Sequence, residues 1–376
     1  MNTYVRMLGF VPRGCNMKKK MLGFALLLLV GLAVVASGCI GSSSSQTQTQ
    51  TQSAQETKES TTQPELVIKI ANYYAPNHPV NEALEKVFKP IVEYRSGGKI
   101  KVEIYPASQL GGEREFIEGV IEGTIEMCVS GNLWSRWAPQ VDWVELGYVW
   151  KSLDQAYKFM NGPAFDMYHE FVESKYDVKY LGSFIRGWRV AGNNVRPVRT
   201  PEDAKGIKYR VWESEWIIKT VKAMGFEPVA MPIGEVISAL ETGTVDGGGQ
   251  PIYQIYYAGW YKYLKYISLT NHVVNPGEFW INGGVWKKLG EMKFGDETGQ
   301  DIIQDAVYAT IQYINQRLRD EEQIILKKLE EDPNTEVIYD VDREAFAERV
   351  KPVHEEFFQK YPEAKKYYDI AMQIEP

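Results

Sequence analysis

The chain is poor in the residues that build metal centres and covalent cross-links. Of 376 residues only three are cysteines (Cys15, Cys39, Cys128) and four are histidines (His78, His169, His272, His354). They are scattered, with no HExxH or paired-cysteine spacing, so neither a disulfide framework nor a dedicated metal site is expected. A GxSxG nucleophile elbow and a dinucleotide GxGxxG are also missing. The three consecutive glycines in Val245-Asp246-Gly247-Gly248-Gly249-Gln250-Pro251 are not followed by the Gly-Lys-Ser/Thr of a phosphate-binding loop. No spacing of carboxylates singles out a catalytic pair. A catalyst is therefore not expected, nor a cofactor. Positive charge is scarce as well: Lys+Arg 42 against Asp+Glu 49 gives −7. Residues 1–38 hold five of the bases and no acid, which leaves 37 bases against 49 acids, a net of −12, for the remainder. Such a body excludes nucleic acid as a partner, because that affinity comes mainly from neutralising phosphates. An anion would have to meet a local basic site.

Long apolar runs are limited to one, Met21 to Ala36, too short for a firm membrane span. Lys18-Lys19-Lys20 precedes it and Ser37-Gly38-Cys39 comes after it, the basic, apolar and small-residue series of a signal peptide over residues 1–38, with Met17 as an alternative start. Cys39 then reads as the lipid-bearing first residue of the mature chain; the alternative is a short anchor left uncleaved. Residues 39–65 are rich in Ser, Thr and Gln and lack the apolar side chains that would offset the entropy of ordering, so they read as a stalk. The expected location is the outer face of the cytoplasmic membrane, periplasmic or at the cell surface. Cys128 reads as a small core residue.

From Leu66 onward the pattern is α/β. LVIKIANYY reads as a strand ending in a polar, aromatic loop, followed by a helix over Val80–Arg95. Ile100–Tyr105 and Ile207–Trp212 both alternate as strands. Glu115–Met127 aligns with Glu235–Gly247, each an amphipathic helix stopped by a glycine and turning into a short strand. These matches imply two domains of related design, or else chance similarity of common α/β fragments. Thr200-Pro201-Glu202-Asp203 has the residues of a helix start. Asp296–Glu331 reads as a long helix bracing both domains, and 342–372 as further helices.

Arg210 is the leading candidate binding residue. Positions two apart on a strand face the same way, which sets Arg210 beside Trp212 with Lys208 behind. A guanidinium fork beside an aromatic wall suits a carboxylate with an apolar substituent; pairing with a neighbouring acid on a solvated face is the alternative. Gly187-Trp188-Arg189 repeats the aromatic and arginine combination just after an expected strand Val178–Phe184. The glycines of Val245–Pro251 read as a loop whose bare N–H groups approach a ligand. WYKYLKY at 260–266 reads as packing.

Three stretches, GKIKVEIYPASQLGGEREFIEGVIEGTIEM (98–127), RPVRTPEDAKGIKYRVWES (196–214) and MPIGEVISALETGTVDGGGQP (231–251), resemble solute receptors of TRAP (tripartite ATP-independent periplasmic) transporters of the DctP type. The resemblance implies a two-domain periplasmic-binding-protein fold, type II-like, with a hinge and a long domain-spanning helix. Domain I would comprise 66–186 plus about 275–310, and domain II 187–274 plus about 311–376. It implies that Arg210 is the dominant carboxylate-binding residue and Arg189 a supporting one. Gln250 stands where the family usually has Asn, and Glu213 where small or amide side chains are common. Asn72, Tyr73, Tyr74, Gly131 and Asn132 would line the first-domain side, and Ile233 would lie near the apolar part of the ligand. With Trp188 and Trp212 added, a monocarboxylate with an apolar or aromatic body is expected. The implied partners are a small organic acid and the integral-membrane subunits of a TRAP importer, with a lipid anchor holding the receptor at the membrane. A sensory subunit for a membrane kinase and an exported hydrolase are the alternatives.

Overall fold

The computed structural model describes residues 63–162, 165 and 170–376. The expected signal peptide, Cys39, the stalk as far as residue 62, and His169 lie outside the described residues. Twelve strands appear among them: β1 Leu66–Asn72, β2 Ile100–Tyr105, β3 Met127–Ser130, β4 Val178–Asn193, β5 Lys208–Val211, β6 Glu227–Ala230, β7 Gly247–Pro251, β8 Tyr266–Ser268, β9 Val274–Asn282, β10 Lys293–Phe294, β11 Glu297–Thr298 and β12 Glu336–Ile338. Ten of them join in the order β2-β1-β3-β9-β4-β7-β5-β6, with β8 attached to β4 and β12 to β8.

The order repeats a motif. β1 is flanked by parallel β2 and β3, and β5 by parallel β6 and β7. β3 then meets β9, and β7 meets β4, both antiparallel. The two helix-to-strand matches in the sequence are equivalent in this motif, for they lead into β3 and β7. The strand match is not: Ile100–Tyr105 is the outer β2, whereas Lys208–Val211 is the inner β5, the counterpart of β1. Alternating Ile and Val occur in both because either strand buries one face, which says nothing about its place in the sheet.

Local chemistry accounts for most element ends. Helix Glu113–Glu122 buries Phe116, Ile117 and Val120 and stops at Gly123, whose φ of 78° is the left-handed cap that glycine adopts without strain. The expected helix over 80–95 forms from Pro79 to Arg95 with a π-helical stretch at Leu84–Phe88. Thr298 and Asp301 form a reciprocal capping box at the start of Gly299–Glu330, a helix of 32 residues that at ~1.5 Å each is about 48 Å long. Helices Arg343–Lys360 and Pro362–Met372 complete the chain.

Two expectations, for β4 and for Thr200–Asp203, are corrected. β4 does not end at Phe184: it runs 16 residues to Asn193, carrying Gly187, Trp188 and Arg189 within it. It bends at a register shift between Ile185 and Trp188, where Gly187 has φ 85°. Thr200–Asp203 does not start a helix. Asp203 Oδ2 accepts from Arg199 N, Thr200 N and Thr200 Oγ1, but only turns intervene before β5 begins at Lys208. The carboxylate closes a turn with the same bonds that would cap a helix. Cys128 is buried in β3, as expected of a core residue.

Candidate functional site

Three arginines converge beneath the surface. Arg186 and Arg189 lie on β4 either side of its bend, and Arg210 on β5; each is 3 or 4% exposed. With Tyr73, Glu113, Gly131, Asn132, Leu133, Glu145, Trp212, Ile233, Gln250 and Asn275 they line a cavity of about 30 Å³, on the scale of one or two waters. A wider hollow of about 410 Å³ adjoins it. Glu113, Leu133, Arg210, Trp212 and Ile233 face both spaces.

The guanidinium groups are held by neutral oxygens. Arg210 donates Nε and Nη2 to the carbonyl of Met231 at 3.0 and 2.8 Å, spending one edge of the fork on fixing its own orientation. Arg189 donates Nη1 to Asn275 Oδ1 at 2.7 Å and to Gln250 Oε1 at 3.4 Å, donates Nη2 to Gly249 O, and stacks 4.3 Å over the Trp212 ring. Arg186 donates Nη2 to Gln250 Oε1 at 3.2 Å, while its Nε is buried without an acceptor. Buried cations without counter-ions are costly. Burial lowers Arg210 to about 10; burial together with the neighbouring Arg186 lowers Arg189 to about 9. Their charge is thus under tension that an incoming anion would relieve.

The acids present do not discharge this tension. Burial pushes Glu113 upward, against the lowering effect of the Gly131 N–H that it accepts at 2.5 Å and of Arg186. Glu145 is pushed up to about 8 by burial and by Asp142, which burial itself raises to about 6. Asp142 accepts from Ser214 Oγ at 2.7 Å and from Asn132 Nδ2 at 3.3 Å. At neutral pH the cavity therefore carries more positive than negative charge.

Of the residues expected at the site, the structure brings Arg210, Arg189, Trp212, Gln250, Ile233, Tyr73, Gly131 and Asn132 to the inner cavity. Four stand elsewhere. Asn72 is a turn organiser, donating Nδ2 to Asn81 Oδ1 and accepting from Tyr74 N. Tyr74 sits behind Tyr73, hydroxyl to hydroxyl at 3.3 Å. Trp188 is on the bent stretch of β4 opposite Val274 and does not line the cavity. Glu213 faces the wider hollow and pairs with Arg136 at 3.1 Å.

The chemistry expected of two segments also changes. Trp212, just past the end of β5, lines both spaces together with Arg210, but the guanidinium stacked on its ring is that of Arg189. With Trp188 outside as well, no pair of indoles is left to pack an aromatic ligand body. Gly247–Pro251 is a buried strand and not a ligand-contacting loop. A Cβ on Gly247 would run into the carbonyl oxygen of Gly192, and one on Gly249 into the Tyr209 hydroxyl. The glycines serve close strand packing. Sequence reasoning missed Arg186, Glu113, Leu133, Glu145 and Asn275. Arg186 is the first arginine of FIRGWR, but strand alternation gave no reason to single it out; Glu145 and Asn275 lie in apolar surroundings that suggest only core.

Known proteins of one family resemble this chain in sequence and in fold. The family described as bacterial extracellular solute-binding protein, family 7 (DctP), matches residues 70–361. The 2,3-diketo-L-gulonate-binding periplasmic protein YiaO of Escherichia coli K12 is 31% identical over 264 residues, 70% of this chain and 78% of its own. A TRAP periplasmic solute binding protein from Haemophilus influenzae with bound L-gulonate superposes with a TM-score of 0.77 at 28% identity, covering 82% of this chain and 99% of that one. Another, from Polaromonas sp. JS666 and bound to D-erythronate, gives 0.77 at 25% identity over 83% and 99%.

Proposed function

Because the chain belongs to the bacterial extracellular solute-binding proteins of family 7, TRAP receptors that bind solutes and do not catalyse, we propose that it captures a hydroxylated monocarboxylic acid in the three-arginine cavity. The observation that carries this reading is the set of buried guanidiniums bonded only to neutral oxygens around a space of carboxylate size, opening onto a wider hollow. The carboxylate enters the inner cavity and meets Arg210 and Arg186; the hydroxylated body occupies the hollow. L-Gulonate, D-erythronate and 2,3-diketo-L-gulonate, the acids named for its relatives, share this plan. Residues 66–186 with about 275–310 form one lobe and 187–274 with about 311–376 the other, and the acid draws them together. The loaded receptor delivers its acid to the integral-membrane subunits of a TRAP importer while Cys39 holds it at the membrane through a lipid. Mass spectrometry of acid retained through purification, followed by calorimetry with it and with L-gulonate and D-erythronate, tests the reading. A purified, folded protein that carries no acid and binds neither probe would overturn it.

A further inference from the structure

Glu145 closes the short 3-10 segment Pro139–Glu145 and is 5% exposed, yet it lines the inner cavity. Its two oxygens are treated differently. Oε1 accepts from Asn275 Nδ2, and Asn275 in turn accepts from Arg189 through Oδ1. Oε2 is buried with no hydrogen-bond partner. A bare carboxylate oxygen in such a place is costly, because an ionised carboxylate needs several donors to replace its hydration. A carboxylic acid in the same place carries an O–H that needs an acceptor.

We infer that Glu145 is a neutral carboxylic acid in the receptor and donates its Oε2–H to an oxygen of the captured organic acid, so that binding is linked to holding this proton. The inference rests on the reading of the cavity as an acid receptor and adds to it a donor that carries no charge.

The groups around Glu145 act in both directions. On its own segment Asp142 favours the proton, as does burial; Arg189 and Arg186 on β4 oppose it, and Asn275 on β9 bonds the other oxygen. Across the cavity stand Glu113, Tyr73 and Arg210, and beside Arg189 lie Tyr209 and His272. The balance leaves the proton on near neutrality, with an apparent value of about 8. A ligand carboxylate brought among the arginines adds negative charge close by, which raises the proton affinity of Glu145 further. Above pH 8, capture must therefore bring in a proton from solvent. The receptor–acid complex gains one H⁺ and one anion together, and affinity falls as pH rises, by up to about tenfold per pH unit.

The test uses the folded receptor and Glu145→Gln, which keeps the size and a donor but cannot titrate. L-Gulonate and D-erythronate are titrated calorimetrically at pH 8.5 in buffers of different ionisation enthalpy. Wild type is expected to take up a substantial fraction of one proton per acid bound, and Glu145→Gln much less, with Arg189 the remaining group that can gain one. Equal proton uptake by the two proteins overturns the inference. Isotope-edited infrared spectroscopy of labelled glutamate at pH 7 supplies a readout that needs no ligand: wild type should show a protonated carboxyl band that Glu145→Gln lacks. Absence of that band in wild type overturns the inference even when the acids bind. Should the band be present and neither acid bind, the acid-receptor reading fails and the donation falls with it.

Discussion

Arg186 and Arg189, three residues apart on β4, both donate to one oxygen, Oε1 of Gln250, at 3.2 and 3.4 Å. Two cations are thus held together by a neutral amide. A bend in the strand makes this possible, since positions three apart on a regular strand face opposite sides. The amide keeps the pair in place without neutralising it, which leaves their charge for an anion.

Replacing that amide by an acid should separate stability from binding. Gln250→Glu puts a carboxylate where both guanidiniums already donate, and charge-assisted bonds are worth about 1.5–3 kcal/mol. The melting temperature is expected to rise while affinity for L-gulonate falls at least about tenfold, or about 1.4 kcal/mol. A variant that melts lower and binds as wild type would show that Gln250 does not restrain the pair.

Arg210 should be the most sensitive position for affinity. Arg210→Ala strips a buried anion of its partner, a loss of about 3–5 kcal/mol, or very roughly 150- to 5,000-fold. Arg210→Lys should rescue poorly, since an ammonium cannot both bond Met231 O along one edge and present a planar fork. Arg189→Ala should cost less affinity but more stability, because it takes the Arg189 donor from Asn275 Oδ1 and Gly249 O and leaves Gln250 Oε1 with Arg186 alone. Calorimetry and thermal melting of the three variants check the ranking; Arg210→Ala within a few-fold of wild type would move the carboxylate elsewhere.

Stability should depend on pH through Glu145. Its carboxyl is raised from 4.5 to about 8 on folding by burial and Asp142. Between those values the unfolded chain releases a proton that the folded chain keeps, so stability falls as pH rises, by about 1.4 kcal/mol per pH unit at most, and levels off above 8. Glu145→Gln lacks this penalty. Its melting temperature relative to wild type should climb from pH 5 to pH 8; a constant difference would mean that Glu145 titrates as an ordinary carboxyl.

Lipid attachment is expected at Cys39. Cys39→Ala should release the protein from the membrane fraction, whereas wild type and variant fractionating alike as soluble proteins would refute the anchor.

Closure on the ligand should reduce the radius of gyration in small-angle scattering when L-gulonate saturates the receptor. An unchanged profile at saturation would indicate a rigid site.

Strands with one buried face were legible because Ile100 and Val102 alternate with Lys101 and Glu103. The helix end at Gly123 was legible from its glycine, whereas the start of the long helix was placed at Asp296 and the cap at Thr298 went unread. Arg210 and Arg189 could be found by their aromatic neighbours and by family resemblance. Arg186 could not, because the bend at Gly187 breaks the period of two on which a strand reading depends. The glycines of β7 were misjudged because a small residue signals close approach without saying of what; here it is Gly192 and Tyr209. Glu145 and Asn275 become visible only when β9 and the 139–145 segment are brought together, a contact spanning 130 residues.

β4 is one unbroken strand that joins β9 along its first part and β7 along its last. Two of the three cavity arginines, Arg186 and Arg189, sit in its middle, so neither half of the sheet owns them. A receptor with new ligand preference therefore cannot be made by splicing the front of one relative to the back of another at a linker. The crossover would fall inside the cavity, and any exchange that keeps its three arginines together must transplant β4, β5, β7 and β9 as a set.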